Sequence, residues 1–301
     1  MRVIGFVTLL IIVVMTGPGF GAQRLQVAAT RITEPPVLDG KLTDACWKAA
    51  VPVTGFRQLG GETPAQYQSF GYVLYDEENL YIGVRCLEPH PQSIVTTTRN
   101  PRVLTHEEDE NVFNDDAVEI MIKSDPDRPR HFQFAISASG ATFDAIRTHG
   151  GSNVDTRWNG EMAAAAAIAQ DHWSAELHIP FYCLELSPQV GSQWRINICR
   201  DKQRPRELSA ISFEGLFNET WKFAVLSGLE VDFGKYCIEV GKPQLVGEVK
   251  DGTPSASATL SLTNSTGKDR RLKIEYLSDD APAASPCEPR GGLSLRASRP
   301  G

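Results

Sequence analysis

The sequence predicts an all-β protein, an antiparallel two-sheet β-sandwich of jelly-roll type with short helices, followed by a partial second β domain. Short runs alternate apolar and polar residues, turn residues separate these runs, and no long stretch between Arg24 and Val240 has helical periodicity. Two sheets that each have one apolar face bury those faces against each other. Helices are expected only at 43–48, where Thr43 can cap the first turn, and at 181–184.

The predicted strands follow one another as hairpins. Residues 70–74 and 80–87 flank a polar turn, and residues 118–122 and 132–136 flank a turn with two prolines, which would interrupt any strand. Alanine favours helices, but the alanine run lies between a Trp-Asn-Gly loop and a clear strand, so it is interpreted as a strand. The remaining strands are expected at 163–167, 173–179 and 194–199.

The N-terminus has the order of a secretory signal peptide. Arg2 precedes an apolar run over residues 3–15, and small residues follow that run. Thirteen apolar residues are fewer than the roughly twenty that span a bilayer. Residues 1–21 are therefore predicted to be a cleaved signal, with an uncleaved anchor as the alternative. The expected localisation is secreted, extracellular or periplasmic, with no membrane span after cleavage.

Charge and cysteine content exclude some functions. The net charge of −7 argues against general nucleic-acid binding, because neutralising phosphates takes an excess of Lys and Arg. Six cysteines permit disulfides in an exported chain, in any of fifteen pairings that the sequence does not distinguish. The spacing contains no Cys-x-x-Cys pair of the zinc or thioredoxin type. Cys86 is in phase with Ile82 and Val84 and is expected to be buried.

The character of the chain changes after the main domain, which is assigned to residues 24–240. Three further strands are expected at 242–249, 257–263 and 271–277, as at the start of an immunoglobulin-like sandwich. A complete domain of that kind needs about a hundred residues. Residues 241–301 are therefore interpreted as an incomplete domain in which the chain stops, with a Pro- and Gly-rich tail predicted to be disordered.

Five segments, in this order, resemble family 9 carbohydrate-binding modules. The first has an Asp-Gly turn eight residues before a tryptophan, the second is a Tyr-Asp hairpin, the third is an Asp-Asp strand, and the last two begin with tryptophan. They are Val37-Leu38-Asp39-Gly40-Lys41-Leu42-Thr43-Asp44-Ala45-Cys46-Trp47, residues 75–85, Asp115-Asp116-Ala117-Val118-Glu119-Ile120, residues 173–180 and residues 194–200.

The resemblance implies a sugar site in which two aromatic rings hold a terminal sugar. These rings fall on Phe113, before the Asp-Asp strand, and on Trp221. Asn218, three residues before Trp221, is also expected in the sugar site. The polar partners fall on Glu119 and Gln133, whose side chains share the face opposite the apolar one and can meet across a hairpin. Phe113 stands where the family has tryptophan, so this stacking ring is smaller. Gln133 stands where the family has arginine, so the charged guanidinium, which donates two parallel hydrogen bonds, is absent at this position.

The remaining tryptophans and the acidic residues have structural interpretations, and for Trp158 and the acidic residues a binding role is the alternative. Trp158 is either another stacking platform for the sugar or a plug over the sandwich. Trp47 is expected to plug one end of the sandwich, and Trp173 and Trp194 are expected in the core. The acidic residues 107–110, 115 and 116 are candidate calcium ligands, as implied by structural cations in the family, or simply a solvated loop. No other cofactor is expected.

The function expected from these observations is non-catalytic binding of an oligo- or polysaccharide, as a targeting unit for xylan- or cellulose-type degradation. One alternative is an accessory part of a glycoside hydrolase, with Asp115 and Glu119 as paired carboxylates. However, the sequence has no nucleophile, zinc-protease or phosphate-loop motif. The other alternative is a haem-binding domain of the related DOMON type, with Met121 and His131 as iron ligands.

Overall fold

The computed structural model describes residues 24–97, 109–184, 186, 193–212, 214–236, 238–242, 244–250, 253–264, 272–275 and 294–297. The predicted signal peptide at 1–21 lies outside these residues. Of the acidic run, 107 and 108 also lie outside them, and at 109 and 110 only the backbone is described. No helix within the described ranges is both long and apolar enough to cross a membrane.

The main domain consists of two stacked sheets, as the alternating pattern predicts. In chain order, their strands are β1 (Gln26–Ala28), β2 (Thr30–Arg31), β3 (Arg57–Gln58), β4 (Ser69–Tyr75), β5 (Asn79–Leu87), β6 (Ala117–Lys123), β7 (Arg130–Ser137), β8 (Thr142–Thr148), β9 (Asn153–Asp155), β10 (Ala163–Ile168), β11 (His172–Pro180), β12 (Trp194–Gln203), β13 (Arg206–Ala210) and β14 (Ala224–Ser227). The all-β sandwich is therefore confirmed.

The strand order separates a larger and a smaller sheet. In the described part of the chain, the larger sheet has nine strands, ordered β1-β14-β12-β6-β7-β8-β9, with β13 beside β12 and β3 beside β13. The smaller sheet has five, ordered β10-β11-β5-β4-β2. Most neighbouring strands pair antiparallel, as predicted, and two edge strands pair parallel: β1 with β14 and β2 with β4. The first segment of the domain thus adds one edge strand to each sheet.

The apolar faces of the two sheets form one core. Strand β6 contributes Val118, Ile120 and Ile122, each fully buried. Trp173 from β11 and Trp194 from β12 are fully buried in the same cluster, as predicted. Because side chains on a strand alternate between faces, the polar residues next to these positions lie on the outer faces of the sandwich.

The predicted hairpins and the alanine strand are present. Strands β4 and β5 pair antiparallel, as do β6 and β7. The alanine run forms β10, which pairs with β11 along its whole length at the edge of the smaller sheet. Pairing with a buried neighbouring strand therefore overrides the helical preference of alanine.

The single described α-helix, α1 (Ala45–Ala49), differs from the prediction at its start. Asp44, not Thr43, is the N-cap residue, and it makes no side-chain capping bond. Its carboxylate instead accepts a hydrogen bond from Val37 N at 3.2 Å. Trp47 does not plug the end of the sandwich but packs on the outer face of the smaller sheet. Short 3-10 turns lie at Pro91–Ser93, Asp109–Asn114, His149–Gly151, Phe181–Leu184, Thr220–Lys222 and Phe233–Tyr236.

Beyond the sandwich, the chain forms paired short strands: β15 (Ile238–Val240), β16 (Gln244–Lys250), β17 (Thr253–Thr259), β18 (Leu262–Asn264), β19 (Leu272–Glu275) and β20 (Ser294–Ala297). The pairs are β15 with β18, β16 with β17 and β19 with β20. The strand expected at 257–263 is interrupted at 260–261. Strand β20 lies in the tail expected to be disordered, and that expectation stays a prediction. The immunoglobulin-like assignment of residues 241–301 stays a prediction.

Three of the described cysteines, Cys46, Cys86 and Cys199, are free thiols. Cys86 is fully buried in the core, as its phase predicts, and burial raises the pKa of its thiol. Cys237 and Cys287 lie outside the described residues.

Candidate functional site

A row of polar side chains crosses four neighbouring strands on the outer face of the larger sheet. It consists of Asp201 on β12, Glu119 on β6, Gln133 on β7 and Arg147 on β8, and these four residues are named the polar strip. Glu119 and Gln133 point away from the core because their neighbours in sequence point into it, and Asp201 and Arg147 follow the same alternation on β12 and β8.

Hydrogen bonds join the members of the polar strip in order. A hydrogen bond links the carboxyl groups of Asp201 and Glu119. Gln133 Nε2 donates to Glu119 Oε2, and Arg147 Nε donates to Gln133 Oε1. Arg147 Nη1 in turn donates to the carbonyl oxygen of Gly151 at 3.0 Å. The expectation that Glu119 and Gln133 meet across their hairpin is confirmed.

Both carboxyl groups of the strip have a raised pKa. Burial, the charge of Asp201 and the side-chain hydrogen bond with Asp201 raise the pKa of Glu119 well above its usual value. Burial also raises the pKa of Asp201 to about 6, although the bond to Glu119 opposes this. Both shifts favour the protonated carboxyl group, since adjacent buried carboxyl groups resist losing both protons. Asp201 Oδ1 remains buried without a hydrogen-bond partner.

Phe113 borders one end of the polar strip. It lies in the 3-10 turn before β6 and packs, half-buried, against a small apolar cluster that includes Phe143. The two rings meet edge to face, with centroids 5.0 Å apart and planes at 69°. Phe113 is thus held in a fixed orientation beside the strip.

The loop between β13 and β14 covers the other end of the outer face. Phe217 and Phe223 from this loop bury Met121 of β6. Asn218 Oδ1 accepts a hydrogen bond from His131 Nε2 at 3.1 Å. Burial lowers the pKa of His131 to about 4, so its ring is neutral at pH 7. The loop is therefore anchored to the sheet through Asn218.

Trp221 is the exposed aromatic residue of this loop. Its side chain is 64% exposed, in contrast to the buried Phe217 and Phe223 on either side. The Lys222 ammonium lies 4.5 Å from the centroid of the Trp221 ring. One face of the indole is thus covered by a cation, and a ligand that stacks on this ring has to use the other face.

Trp158 lies buried against the core of the sandwich. Its ring is 9% exposed and contacts Phe132 and Phe134, with centroids 5.1 and 5.7 Å away. Both phenylalanines point into the core between the sheets. Gly160 permits the loop to fold back, since a Cβ there would lie 2.6 Å from the Trp158 ring. The alternative interpretation, a plug over the sandwich, describes its position.

Arg147 and Asp201 were not predicted from the sequence. Both follow the same alternation as the residues that were identified, since Phe143 and Ala145 precede Arg147 on the outer face, and Cys199 precedes Asp201. Extending the period-two pattern of β8 and β12 to the ends of these strands would have found both. Arg147 matters because it places a guanidinium next to Gln133, the position at which the resemblance implies an arginine.

The residues of the two alternative functions are engaged in other contacts. Met121 is fully buried among Cys199 and the loop phenylalanines, while His131 bonds to Asn218 and packs its ring on Phe223. Asp115 belongs to a different network from Glu119.

The pair of aspartates at the start of β6 binds neighbouring segments. Asp115 Oδ1 accepts hydrogen bonds from Thr97 N and Thr97 Oγ1, each at 2.6 Å, and Asp115 Oδ2 accepts one from Ser139 Oγ at 3.2 Å. Asp116 Oδ2 accepts one from Val95 N at 2.9 Å. Among the described side chains, no three His, Cys, Asp or Glu residues converge as metal ligands. The candidate calcium site gains no support from these contacts.

Comparison with solved structures shows what the sandwich is similar to. A putative carbohydrate-binding protein from Bacteroides uniformis is 13% identical with a TM-score of 0.52, over 68% of this chain and 99% of that chain. A family 9 module from Caldicellulosiruptor kristjanssonii, solved with glucose, is 13% identical with a TM-score of 0.48, over 67% of this chain and 94% of that one. The same organism's module with cellotriose is 14% identical with a TM-score of 0.46, over 68% and 93%.

Comparison with sequences gives the family. No curated protein sequence matches this chain. Residues 38–228, well over half of the chain, match the family described as "Carbohydrate family 9 binding domain-like", and this range contains the whole polar strip together with Phe113 and Trp221. The resemblance expected from the five sequence segments is confirmed, and the chain belongs to the family 9 carbohydrate-binding domain-like proteins.

Proposed function

We propose that this chain is a carbohydrate-binding module that holds an oligo- or polysaccharide over the polar strip. The observation that carries the proposal is the hydrogen-bonded row from Asp201 to Arg147, bordered by Phe113 and by a loop with the exposed Trp221. Sugars need flat apolar surfaces for their C–H groups and fixed donors and acceptors for their hydroxyl groups.

The members of the strip have different roles in this proposal. Glu119 and Gln133 are almost completely buried, whereas Arg147 and Asn218 are half-buried. Arg147 and Asn218 therefore contact the sugar, while Glu119 and Gln133 position the Arg147 guanidinium. A guanidinium held by two acceptors loses little conformational freedom when it binds a hydroxyl group. Arg147 thus supplies the guanidinium that the family has at the position of Gln133.

Binding without cleavage is the activity that suits this arrangement. A glycosidase needs two carboxyl groups about 5 Å or more apart, with the sugar bond between them. Here Glu119 and Asp201 bond directly to each other and are both buried, so no sugar fits between them. Asp115 contacts Thr97 and Ser139 instead. A secreted targeting unit for xylan- or cellulose-type polysaccharides is the finer form of the proposal.

Calorimetric titration with cellotriose and with xylotriose tests the proposal. Trp221→Ala should weaken binding at least about tenfold, because removing a central aromatic contact commonly costs more than about 1.4 kcal/mol. Ile168→Ala is the matched control: this side chain is 49% exposed but lies on the edge of the smaller sheet. Its affinity should equal that of the wild type. Equal affinities for the wild type and Trp221→Ala, or no binding of either sugar by the wild type, would contradict the proposal.

A further inference from the structure

The end of the polar strip at Arg147 presents unused hydrogen-bond donors. Arg147 Nε donates to Gln133 Oε1, and Arg147 Nη1 donates to the carbonyl oxygen of Gly151 at 3.0 Å. The other terminal nitrogen, Nη2, has no partner among the described residues and is in contact with solvent. Two bonds therefore fix the guanidinium in place, while its remaining N–H groups are available to a ligand.

Asn218 lies next to this guanidinium. Gly151 connects the two residues, because its carbonyl oxygen accepts the bond from Arg147 and a Cβ on Gly151 would lie 2.4 Å from Asn218 Cβ. Asn218 Oδ1 accepts a hydrogen bond from His131 Nε2, and His131 is directly paired with Arg147 across β7 and β8. The Asn218 amino group has no partner among the described residues and is also open to solvent. Two unused donors thus lie close together.

The acceptor atoms at this end of the strip are already in use. Gln133 Oε1 accepts from Arg147, and Glu119 Oε2 accepts from Gln133. Asn218 Oδ1 is occupied by the bond from His131. Hydroxyl groups both donate and accept, whereas a carboxylate only accepts. Donors without a free acceptor beside them therefore match a carboxylate better than they match a hydroxyl group.

The positive charge of Arg147 forms no ion pair with a described carboxylate. Asp155, on the strand beside that of Arg147, bonds to Arg157 at 3.0 Å, and Glu219 pairs with Lys222 at 2.8 Å. Both carboxyl groups of the strip have a raised pKa, which favours their neutral forms. Burial lowers the pKa of Arg147, so the groups around it do not fully compensate its charge.

Apolar surface adjoins the donors. Val154 is directly paired with Arg147 across β8 and β9, so the two side chains share the outer face, and Val154 is 44% exposed. The exposed Trp221 lies three residues after Asn218 in the same loop. Apolar side chains of this kind contact the C–H groups of a sugar ring. A ligand that combines a carboxylate with C–H surface therefore fits this place better than a small inorganic anion.

We propose that the sugar held over the polar strip is an acidic one, a uronate whose carboxylate accepts hydrogen bonds from Arg147 Nη2 and from the Asn218 amino group. This inference rests on the proposed function, because it names the ligand class of that same site. Hydrogen bonds between a guanidinium and a carboxylate are stronger than those to a neutral hydroxyl group. Arg147 is thus the residue that makes the chain prefer uronate-containing glycans over neutral glycans with the same backbone.

Titration of the full chain with three related sugars tests this preference. Cellotriose, cellotriuronate with a carboxylate at C6 of each residue, and the trimethyl ester of cellotriuronate share one backbone, and only the uronate is charged at pH 7. The uronate should bind at least about tenfold more tightly than the other two sugars. The NMR signals of Arg147 Nε–H and of the Gly151 and Asn218 amides should shift with it. The protein's net charge of −7 opposes general attraction of an anion, so such a preference reports a local site.

Two variants assign the preference to Arg147. Arg147→Gln removes the charge and should reduce the ratio of uronate to ester affinity to about one. Arg147→Lys keeps the charge without the planar donors and should give an intermediate ratio, and it serves as the second variant if the first does not fold. Arg157→Gln is the matched control, because it removes the same charge from a side chain that is 65% exposed and bonds to Asp155. It should keep the ratio of the wild type.

The three sugars separate failure of this inference from failure of the sugar site itself. If cellotriose binds and the uronate binds no more tightly, the acidic ligand is refuted while the proposed sugar site stands. If none of the three binds, both proposals fail. A ratio that is unchanged in both Arg147 variants would overturn the role of Arg147. Equally tight binding of cellotriose sulfated at C6 would show that the site recognises negative charge in general, which contradicts a site for a carboxylate.

Discussion

At the scale of single residues, the protonation of Glu119 and Asp201 is the most sensitive feature of the proposed sugar site. Glu119 accepts a hydrogen bond from Gln133, and Gln133 accepts one from Arg147, so the position of the Glu119 carboxyl group sets the position of the rest of the row. If both carboxyl groups were ionised, their repulsion would separate them in a region that excludes water. The geometry of the polar strip therefore depends on pH.

Asp201 should make the protein less stable as the pH rises. The pKa of Asp201 is about 6 in the folded protein and near 3.8 when unfolded. A raised pKa stabilises the fold fully below pH 3.8, and this stability is lost as the pH rises through 6. Asp201→Asn removes the titration, so between pH 4 and pH 7 it should gain on the order of 2 kcal/mol relative to the wild type. Urea unfolding at several pH values measures this difference.

The exposed Asp232 provides the control for this pH effect. Asp232→Asn should keep the pH dependence of the wild type. If Asp201→Asn and the wild type lost stability in parallel from pH 4 to pH 7, the raised pKa of Asp201 would be refuted.

Residue alternation explains which parts of the site the sequence could predict. Glu119 and Gln133 were found because each lies between two core residues on a strand with clear alternation. Arg147 and Asp201 lie at strand ends, where the sequence alone does not tell how far the pairing continues. Trp158 was ambiguous for a different reason. Its position depends on a loop that folds back over Phe132 and Phe134, which is a contact distant in sequence.

At the scale of elements, the Asp-Gly turn before α1 fastens a loop to the alanine strand. Gly40 has φ of +81°, and a Cβ at this position would lie 2.5 Å from the Ala166 carbonyl carbon. The small side chains of β10 are what allow this approach. The sequence predicted the turn and the strand separately, but their contact depends on the register of β10 with β11, which short-range patterns do not specify.

Gly40→Ala should destabilise the domain through both strain and overlap. A positive φ costs an alanine about 1–2 kcal/mol, and overlap with a paired strand adds about 1–3 kcal/mol. Gly55→Ala is the matched control, because Gly55 has φ of +78° but a Cβ added there would meet no atom within 4 Å. Chemical denaturation should show that Gly40→Ala loses about 2 kcal/mol more than Gly55→Ala. Equal losses would mean that the loop does not pack on β10 this closely.

At the scale of the whole molecule, a buried ion cluster joins the two sheets. Glu88 follows β5 of the smaller sheet, and Arg200 and Lys202 come from β12 of the larger one. All three side chains are fully buried. Arg200 Nη1 also donates to the carbonyl oxygens of Tyr67 and Leu87, at 3.2 and 3.0 Å. The alternation of β12 predicts apolar residues at both cationic positions, so this cluster could not be expected from the sequence pattern.

Removing the carboxylate that bonds to both cations of this cluster should strongly destabilise the sandwich. Glu88→Gln leaves Arg200 and Lys202 buried without this bonded partner, and breaking a buried ion pair in this way costs about 3–5 kcal/mol. Glu77→Gln is the control, because Glu77 is 53% exposed and pairs with Arg31 and Lys235 at the surface. Exposed pairs of this kind contribute about 1 kcal/mol or less. Thermal and urea unfolding of both variants measure the difference, and similar losses would show that the buried cluster does not hold the sheets together.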